Sequence, residues 1–390
     1  MSLEKIVSAI QQNRYFNAVK TAIIKVAYIN ITLAVILFVW VQFQRFMDVS
    51  EDIRVILILV YQYYCIMMGL IFSYIVADQL SLQKENEPLK YATVFLAAIL
   101  AVVYIPNNFT TEYPIVALFF SPIIYFFLDK LATLKVGFEK VPQAVADYYN
   151  CIMPVLVMTF VILILIFVFD GGLLWVGNVL ATLTRALASP LAVIIVTLAI
   201  CSFWVMGVHG VAVIGTIMRP FWFYMMLVNG YLVLLGQPAF YIGSETFFQW
   251  VVWLGGSGCT LGLSLCMRYF AKSIHLRTLG SEVMTSNWFN INENVIFGVP
   301  IVENRHFRFP FFMAPLICAL VGYSAFAFGY VSVPAIVSPW VLPAPIGIFI
   351  STLGDYRSLI LIALLIVISA VIYYPFFKRY DNELRIEEMN

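Results

Sequence analysis

The sequence predicts an all-α polytopic membrane protein of about ten transmembrane helices, with re-entrant hairpins in its C-terminal half. Three observations carry this expectation. Of 390 residues, 63% are hydrophobic and only 11% charged, whereas a soluble domain needs about 25% charged residues to cover its surface. Apolar runs of about 20 residues, the length that crosses a bilayer as a helix, recur along the chain. In the second half these runs are broken by clustered Gly, Pro and Asn, which a simple membrane helix does not tolerate.

The polar, amphipathic residues Met1–Lys20 lack the apolar core and cleavage site of a secretory signal, so they are expected to stay on the chain and face the cytoplasm. Hydropathy then places spans at about 22–42, 53–77, 89–105, 113–128 and 152–169. Lys5, Arg14 and Lys20 precede the first span, Lys84 and Lys90 follow the second, and Lys130, Lys135 and Lys140 follow the fourth. The positive-inside rule makes those sides cytoplasmic. Pro106–Glu112 and Asp170–Thr184 carry no Lys or Arg and are expected outside, although Arg45 and Arg54 blur the first outer loop. Between the fourth and fifth spans, charges alternate with Leu131, Leu134, Val136, Phe138, Val141 and Val145, so Asp129–Asn150 reads as an interfacial amphipathic helix. A second such stretch, Gly172–Ser189, leads into an apolar span at about 190–216. Segments 246–270, 278–300 and 331–354 are apolar but broken, and two ordinary spans remain at about 309–330 and 357–377 before a charged tail placed inside. Irregular backbone in hydrocarbon survives only where it is buried in protein or lines a cavity, so the binding site belongs in the second half.

Two domains follow from this change of texture: 1–150, a transmembrane bundle with its amphipathic connector, and 151–390, the site-bearing part. The net charge of +1 supplies no basic face for phosphate contacts, which excludes nucleic acid as a main partner. Six cysteines lie scattered, mostly within apolar runs, without disulfide or metal spacing; they read as buried hydrophobes, and neither a metal site nor a cofactor is expected.

Ionisable groups in apolar membrane segments are costly and mark function. Glu293 is the leading case, because the polar cluster Asn290-Ile291-Asn292-Glu293-Asn294 sits between apolar flanks. A carboxylate that accepts two hydrogen bonds, beside an amide that donates and accepts, suits the paired hydroxyls of a sugar. A hydrated interfacial loop is the alternative for Glu293. His209, between Val208 and Gly210 near the end of an apolar span, fits a functional group and an interhelical hydrogen-bonder equally. His275 and His306, among Lys272, Arg277, Arg305 and Arg308, read as a solvated basic loop. Trp340, in Ser338-Pro339-Trp340-Val341-Leu342-Pro343, could offer its face to a pyranose, yet spacing alone favours an interfacial anchor. Gly255-Gly256-Ser257-Gly258 permits a tight bend and lacks the Lys-Ser/Thr end of a phosphate loop.

Several blocks in order resemble the membrane-embedded IIC component of the bacterial sugar phosphotransferase system, in its lactose/cellobiose/diacetylchitobiose branch. They are Ser189-Pro190-Leu191-Ala192, Trp204 to Gly210 with its His-Gly pair, Gly255 to Gly262, Asn290 to Pro300, and Ser338-Pro339-Trp340. Asn292-Glu293 followed by Ile296-Phe297-Gly298-Val299-Pro300-Ile301-Val302 looks like that family's signature loop. The resemblance covers roughly the last 250 residues well and the first 140 mainly by span pattern.

The resemblance implies a multi-pass protein of the bacterial cell membrane, homodimeric through its N-terminal half, with both termini cytoplasmic. It implies that Glu293 and His209 approach the hydroxyl to be phosphorylated, that Trp340 helps hold the sugar, and that Asn292 adds a contact. The function so implied is binding and translocation of a disaccharide for phosphorylation by a Cys on a separate cytoplasmic IIB protein, charged in turn by IIA. Glu293 would be the candidate base, in what would be a transport subunit of a sugar phosphotransferase complex. Two alternatives stay open at this point. An ion-coupled sugar permease shares broken helices and a buried carboxylate. A divergent IIC acting as sugar sensor or scaffold is suggested by Asn294, where the family usually has Pro, and by Glu303-Asn304-Arg305, where it has Asn-Pro.

Overall fold

The computed structural model describes residues 12–47, 50–82, 87–104, 110–134, 143–168, 172–301 and 303–389. The N-terminal eleven residues, Lys84, the 106–109 part of the outer loop and the 135–142 centre of the amphipathic connector lie outside the described residues. Every element among the described residues is helical or irregular. Seven helices are long and apolar enough to cross a membrane, or eight when the bent pair 175–187 and 190–205 counts as one span, against the ten or so expected. The shortfall comes from the shorter apolar helix Pro88–Val102 and from the second half, whose apolar runs divide into helices too short to span.

By internal contacts the chain forms two compact units, 1–29 with 51–184 and 30–50 with 185–390. The first contains α2 (Glu51–Ser81), α3 (Glu87–Tyr104), α4 (Tyr113–Ala132) and α5 (Gln143–Val168), together with the start of α1 (Arg14–Phe46) and most of α6 (Gly172–Leu187). Helices α2, α3 and α4 pack on one another around Tyr61, Phe72, Tyr113 and Tyr125. The Tyr113 hydroxyl donates to the carbonyl of Ala97 on α3 at 2.9 Å, and Ser121 of α4 donates to Ser73 of α2 at 2.7 Å. Charges that could not remain alone in this setting are paired, Lys90 with Asp78 at 3.3 Å and Arg14 with Asp129 at 3.8 Å. The two described ends of the expected amphipathic connector belong instead to α4 and α5, which end at Ala132 and begin at Gln143.

In the second unit, the expected span at 190–216 is two helices, α7 (Pro190–Val205) and α8 (Gly210–Leu234). Ser189 caps α7 by accepting from the amide of Ala192 at 3.3 Å. Gly207 ends it: at φ +77° the chain turns back, and the amides of Gly207 and Val208 bond the carbonyls of Trp204 and Phe203. The membrane-length helix is therefore α8, which starts at Gly210 and continues well past residue 216. A short turn at Glu245–Phe247 runs into a π-helix at Phe248–Val252, and a glycine-rich loop leads to α9 (Leu261–Phe270). The chain continues through α10 (Ile274–Trp288), α11 (Glu293–Gly298), α12 (Arg305–Ala327), α13 (Ala344–Ser351) and α14 (Arg357–Met389). Trp222, Phe247, Phe248, Trp250, Phe307, Phe311 and Tyr373 fill the core of this unit.

The charged tail is a helical extension of the last span and closes two helix starts. Asp381 accepts from the amides of Lys272 and Ser273 at 2.9 Å, and Glu388 accepts from the Ser273 hydroxyl at 2.7 Å and the amides of Ile274 and His275 at 2.9 and 3.0 Å. Carboxylates there satisfy free N–H groups and complement the positive end of α10. Glu383 lies 2.8 Å from His306 and 3.6 Å from Arg305 at the start of α12. His306 is thus hydrogen-bonded to Glu383 and largely buried rather than part of a solvated loop, because α14 continues past the membrane-length segment and reaches it.

Replacing Asp381 by Ala leaves two backbone donors without their acceptor, so stability should fall by about 1–3 kcal/mol. Thermal unfolding in detergent should show a clear drop in midpoint for Asp381→Ala, whereas exposed Glu387→Ala should melt with the parent.

Candidate functional site

The four residues singled out from the sequence, His209, Asn292, Glu293 and Trp340, all line one cavity of about 560 Å³ in the second unit. They come from four places in the chain. His209 is the residue before α8, Asn292 precedes α11, Glu293 opens α11, and Trp340 projects from the turn between α12 and α13. That turn is held by the Ser338 hydroxyl, which bonds the Gly347 carbonyl at 3.0 Å and the Ser351 hydroxyl at 2.8 Å, leaving Trp340 exposed at the cavity.

His209 caps α8 with its own ring. Its Nδ1 accepts from the amide of Ala212 at 3.1 Å, so the ring proton of the neutral form resides on Nε2. Nε2 lies 3.7 Å from Glu293 Oε1, and both side chains are about half exposed. The second carboxylate oxygen, Oε2, is buried without a hydrogen-bond partner among the described residues. Three buried donors on cavity-lining residues share that condition: the indole nitrogens of Trp204 and Trp253 and the amide nitrogen of Asn290. Buried polar atoms normally find partners; these four belong to cavity-lining residues but are themselves shielded, so the atoms that face the cavity between His209 and Glu293 are Nε2 and Oε1. The ring of Trp204 also packs against the His209 imidazole at 4.5 Å between centroids.

A loop with left-handed backbone at Gly255, Gly256, Gly258 and Cys259 forms the cavity floor. Asn290 accepts from the amide of Gly255 at 2.9 Å. The buried amide of Asn292 donates to the Ser257 carbonyl at 2.7 Å and to the Thr260 hydroxyl at 3.0 Å, and Thr260 donates onward to the Gly255 carbonyl at 2.6 Å. Both donor hydrogens of Asn292 are thereby spent on the loop, so this residue fixes the position of its neighbour Glu293. At Gly256 the chain comes so close to Asn292 that a Cβ would overlap the side-chain amide, which restricts the position to glycine.

Sequence reasoning missed Arg219, Glu245, Gln249 and Trp253 on the same cavity. Arg219 Nε donates to Glu245 Oε1 at 3.0 Å, pairing α8 with the turn before the π-helix. The signal was present, since Arg219 is an ionisable residue inside the apolar helix α8. It was hidden because the expected span stopped near residue 216.

Comparison with known proteins agrees with this architecture. Residues 23–315 match the family described as "Phosphotransferase system, EIIC". The putative permease IIC component YwbA of Bacillus subtilis (strain 168) is 32% identical over 285 residues, covering 70% of this chain and 63% of that protein. The cellobiose-specific EIIC component of Lactococcus lactis subsp. lactis (strain IL1403) is 29% identical over 267 residues, 61% of this chain and 54% of the relative. The chain thus matches less than two thirds of the length of each of these curated relatives. The crystal structure of the transporter ChbC, the IIC component from the N,N'-diacetylchitobiose-specific phosphotransferase system, superposes with a TM-score of 0.81 at 23% identity, covering 100% of this chain and 98% of that one. That likeness establishes the fold.

The loop geometry sets a paired expectation. Gly329 also has positive φ, +72°, but its Cβ position is open, so Gly329→Ala should cost only the backbone term of about 1–2 kcal/mol. Gly256→Ala carries that term and the overlap with Asn292 as well, and should lower the thermal midpoint distinctly further; equal losses would refute the tight loop contact.

Proposed function

The chain belongs to the phosphotransferase system EIIC family, and on that premise we propose that it binds a disaccharide within the bacterial cell membrane and presents it for phosphorylation by a separate cytoplasmic IIB protein. The observation that carries this reading is the convergence of His209, Asn292, Glu293 and Trp340 on one cavity, with the half-exposed His209 Nε2 and Glu293 Oε1 3.7 Å apart. Its volume of about 560 Å³ falls in the range of small-molecule sites, roughly 300–1,000 Å³. The family relationships to cellobiose- and lichenan-type permeases point to a β-linked sugar of the cellobiose, diacetylchitobiose or lactose type.

Glu293 and His209 work as a pair in this proposal. One sugar hydroxyl donates to the carboxylate while His209 Nε2–H offers a donor 3.7 Å away, so the oxygen that must attack phosphorus is held between an acceptor and a donor. Positioning and charge stabilisation dominate phosphoryl transfer, and the phosphorus itself would arrive on the cysteine of IIB, which IIA recharges. Trp340 covers an apolar sugar face. Asn292 acts through the loop, holding Glu293 in place.

The positive residues flanking the early spans support cytoplasmic termini. Residues 1–150 are proposed to supply most of the contact of a homodimer, and 151–390 to carry the sugar site.

Glu293→Gln keeps the shape and one acceptor oxygen but removes the charge and the capacity to take a proton. Sugar affinity should fall by about 1–2 kcal/mol, and partner-dependent phosphorylation should fall by a further factor of about 10²–10⁴. Equilibrium binding and sugar phosphate formed with the cognate IIB measure the two separately. Equal losses would leave Glu293 a binding residue alone, and no loss in either would remove it from the site.

Trp340→Ala should weaken sugar binding by roughly 1–2 kcal/mol, about five- to thirtyfold, while the protein inserts normally. An unchanged affinity across the sugars that the parent binds would make Trp340 an interfacial anchor.

A further inference from the structure

A second pair of cavities lies away from the sugar site, at the opposite membrane end of the second unit from the charged tail. Glu383 near the end of α14 meets Arg305 at the start of α12, so these helices are antiparallel and Ala327 and Arg357 share the other end. Between them runs a groove of about 720 Å³ lined by Leu320, Phe328, Tyr330, Ile360 and Leu364, with Arg357 among the lining residues. Phe328, Tyr330 and Tyr356 are all strongly exposed here, the aromatic pattern of a membrane–water interface. Arg357 and Val331 also line a second cavity of about 390 Å³, which holds Arg45, Ser332 and Thr352.

Both guanidinium groups are held from behind. Arg357 donates through Nε and Nη2 to Asp355 at 2.9 and 2.7 Å, and Asp355 in turn accepts from the amide of Ser332 at 2.8 Å. Arg45 donates to Gln42 at 3.1 Å, and Gln42 donates to the Leu353 carbonyl at 2.9 Å. Burial raises the Asp355 carboxyl, but hydrogen bonds from Arg357 and Ser332 outweigh it and hold that group well below the usual carboxylate range. Among the described residues the smaller cavity presents two guanidiniums against the one carboxylate that bonds Arg357, and the groove beside it is mostly apolar. That is the complement of a monoanionic amphiphile.

We propose that this end of the protein binds one anionic phospholipid, its phosphate between Arg45 and Arg357 and an acyl chain in the groove between α12 and α14. A phosphate oxygen accepts from guanidinium edges that Asp355 and Gln42 leave open, as bidentate anion recognition by Arg requires. The glycerol backbone sits at the level of Tyr330 and Tyr356, and the chain replaces solvent or bulk lipid against Leu320, Ile360 and Leu364.

The test uses the full-length protein in detergent, with native mass spectrometry reading lipid binding. Phosphatidylglycerol should bind about fivefold or more tightly than phosphatidylcholine of the same chains, the ratio that roughly 1 kcal/mol per basic residue near a membrane surface gives. Arg45→Gln should bring the ratio toward one, and Leu364→Trp, which fills the groove, should weaken both lipids. Soluble glycerol phosphate should compete poorly. Equal binding of the two lipids by the parent, an unchanged ratio in Arg45→Gln, or competition by glycerol phosphate as strong as by the lipid would each overturn the proposal. Sugar binding by the same variants, measured alongside, separates this site from the cavity at Glu293.

Discussion

The hydrogen-bond economy of the glycine-rich loop at 255–260 governs the second unit. Its backbone leaves the helical region at Gly255, Gly256, Gly258 and Cys259, inside a core where an unsatisfied peptide group has no water to turn to. Four side chains from distant segments and one of its own supply what the helix would have supplied. Asn290 and Asn292 bond the loop from one side, Thr260 bonds it internally, and Ser369 and Tyr373 of α14 donate to the carbonyls of Cys259 and Gly258 at 2.5 and 2.7 Å. The segment carrying Glu293 and the final membrane helix are thereby fastened to the same few peptide groups.

Satisfying the loop and building the site are consequently one event. Asn292 cannot bond Ser257 without placing Glu293 at the cavity, and His209 cannot cap α8 without presenting Nε2 toward that carboxylate. Glu293, Asn290, Trp204 and Trp253 line that cavity, and each keeps a buried polar atom without a partner among the described residues. At the other end of α10, Asp381 and Glu388 close the helix start from the tail of α14. The stretch from Ser273 to Glu293 is held at both ends by groups far away in sequence, which limits how far the candidate base can drift.

The contrast between the two arginine settings follows from the same physics. Arg219 lies within an apolar helix and meets Glu245 directly, so its charge is balanced inside the unit. Arg45 and Arg357 line a cavity at the end of the unit away from the tail, where Asp355 bonds Arg357 and Arg45 bonds only the neutral Gln42 among the described contacts.

Composition and hydropathy alone determined the class of protein, most of the long spans and the broken character of the second half, because the cost of exposing peptide groups to hydrocarbon is written into run length and into the placing of Gly, Pro and Asn. Glu293 was legible for the same reason, a charge among apolar neighbours. His209 and Trp340 were ambiguous as residues, and family resemblance singled them out. Only the tertiary structure decided that these residues face one cavity, that Asn292 spends its donors on a loop 35 positions earlier, that Arg219 belongs to the same wall, and that the span expected at 190–216 breaks at Gly207. Hydropathy sums over a window and cannot register one glycine at φ +77° or one imidazole used as a cap. Pairings between distant side chains depend on which helices meet, and that is a property of packing in three dimensions.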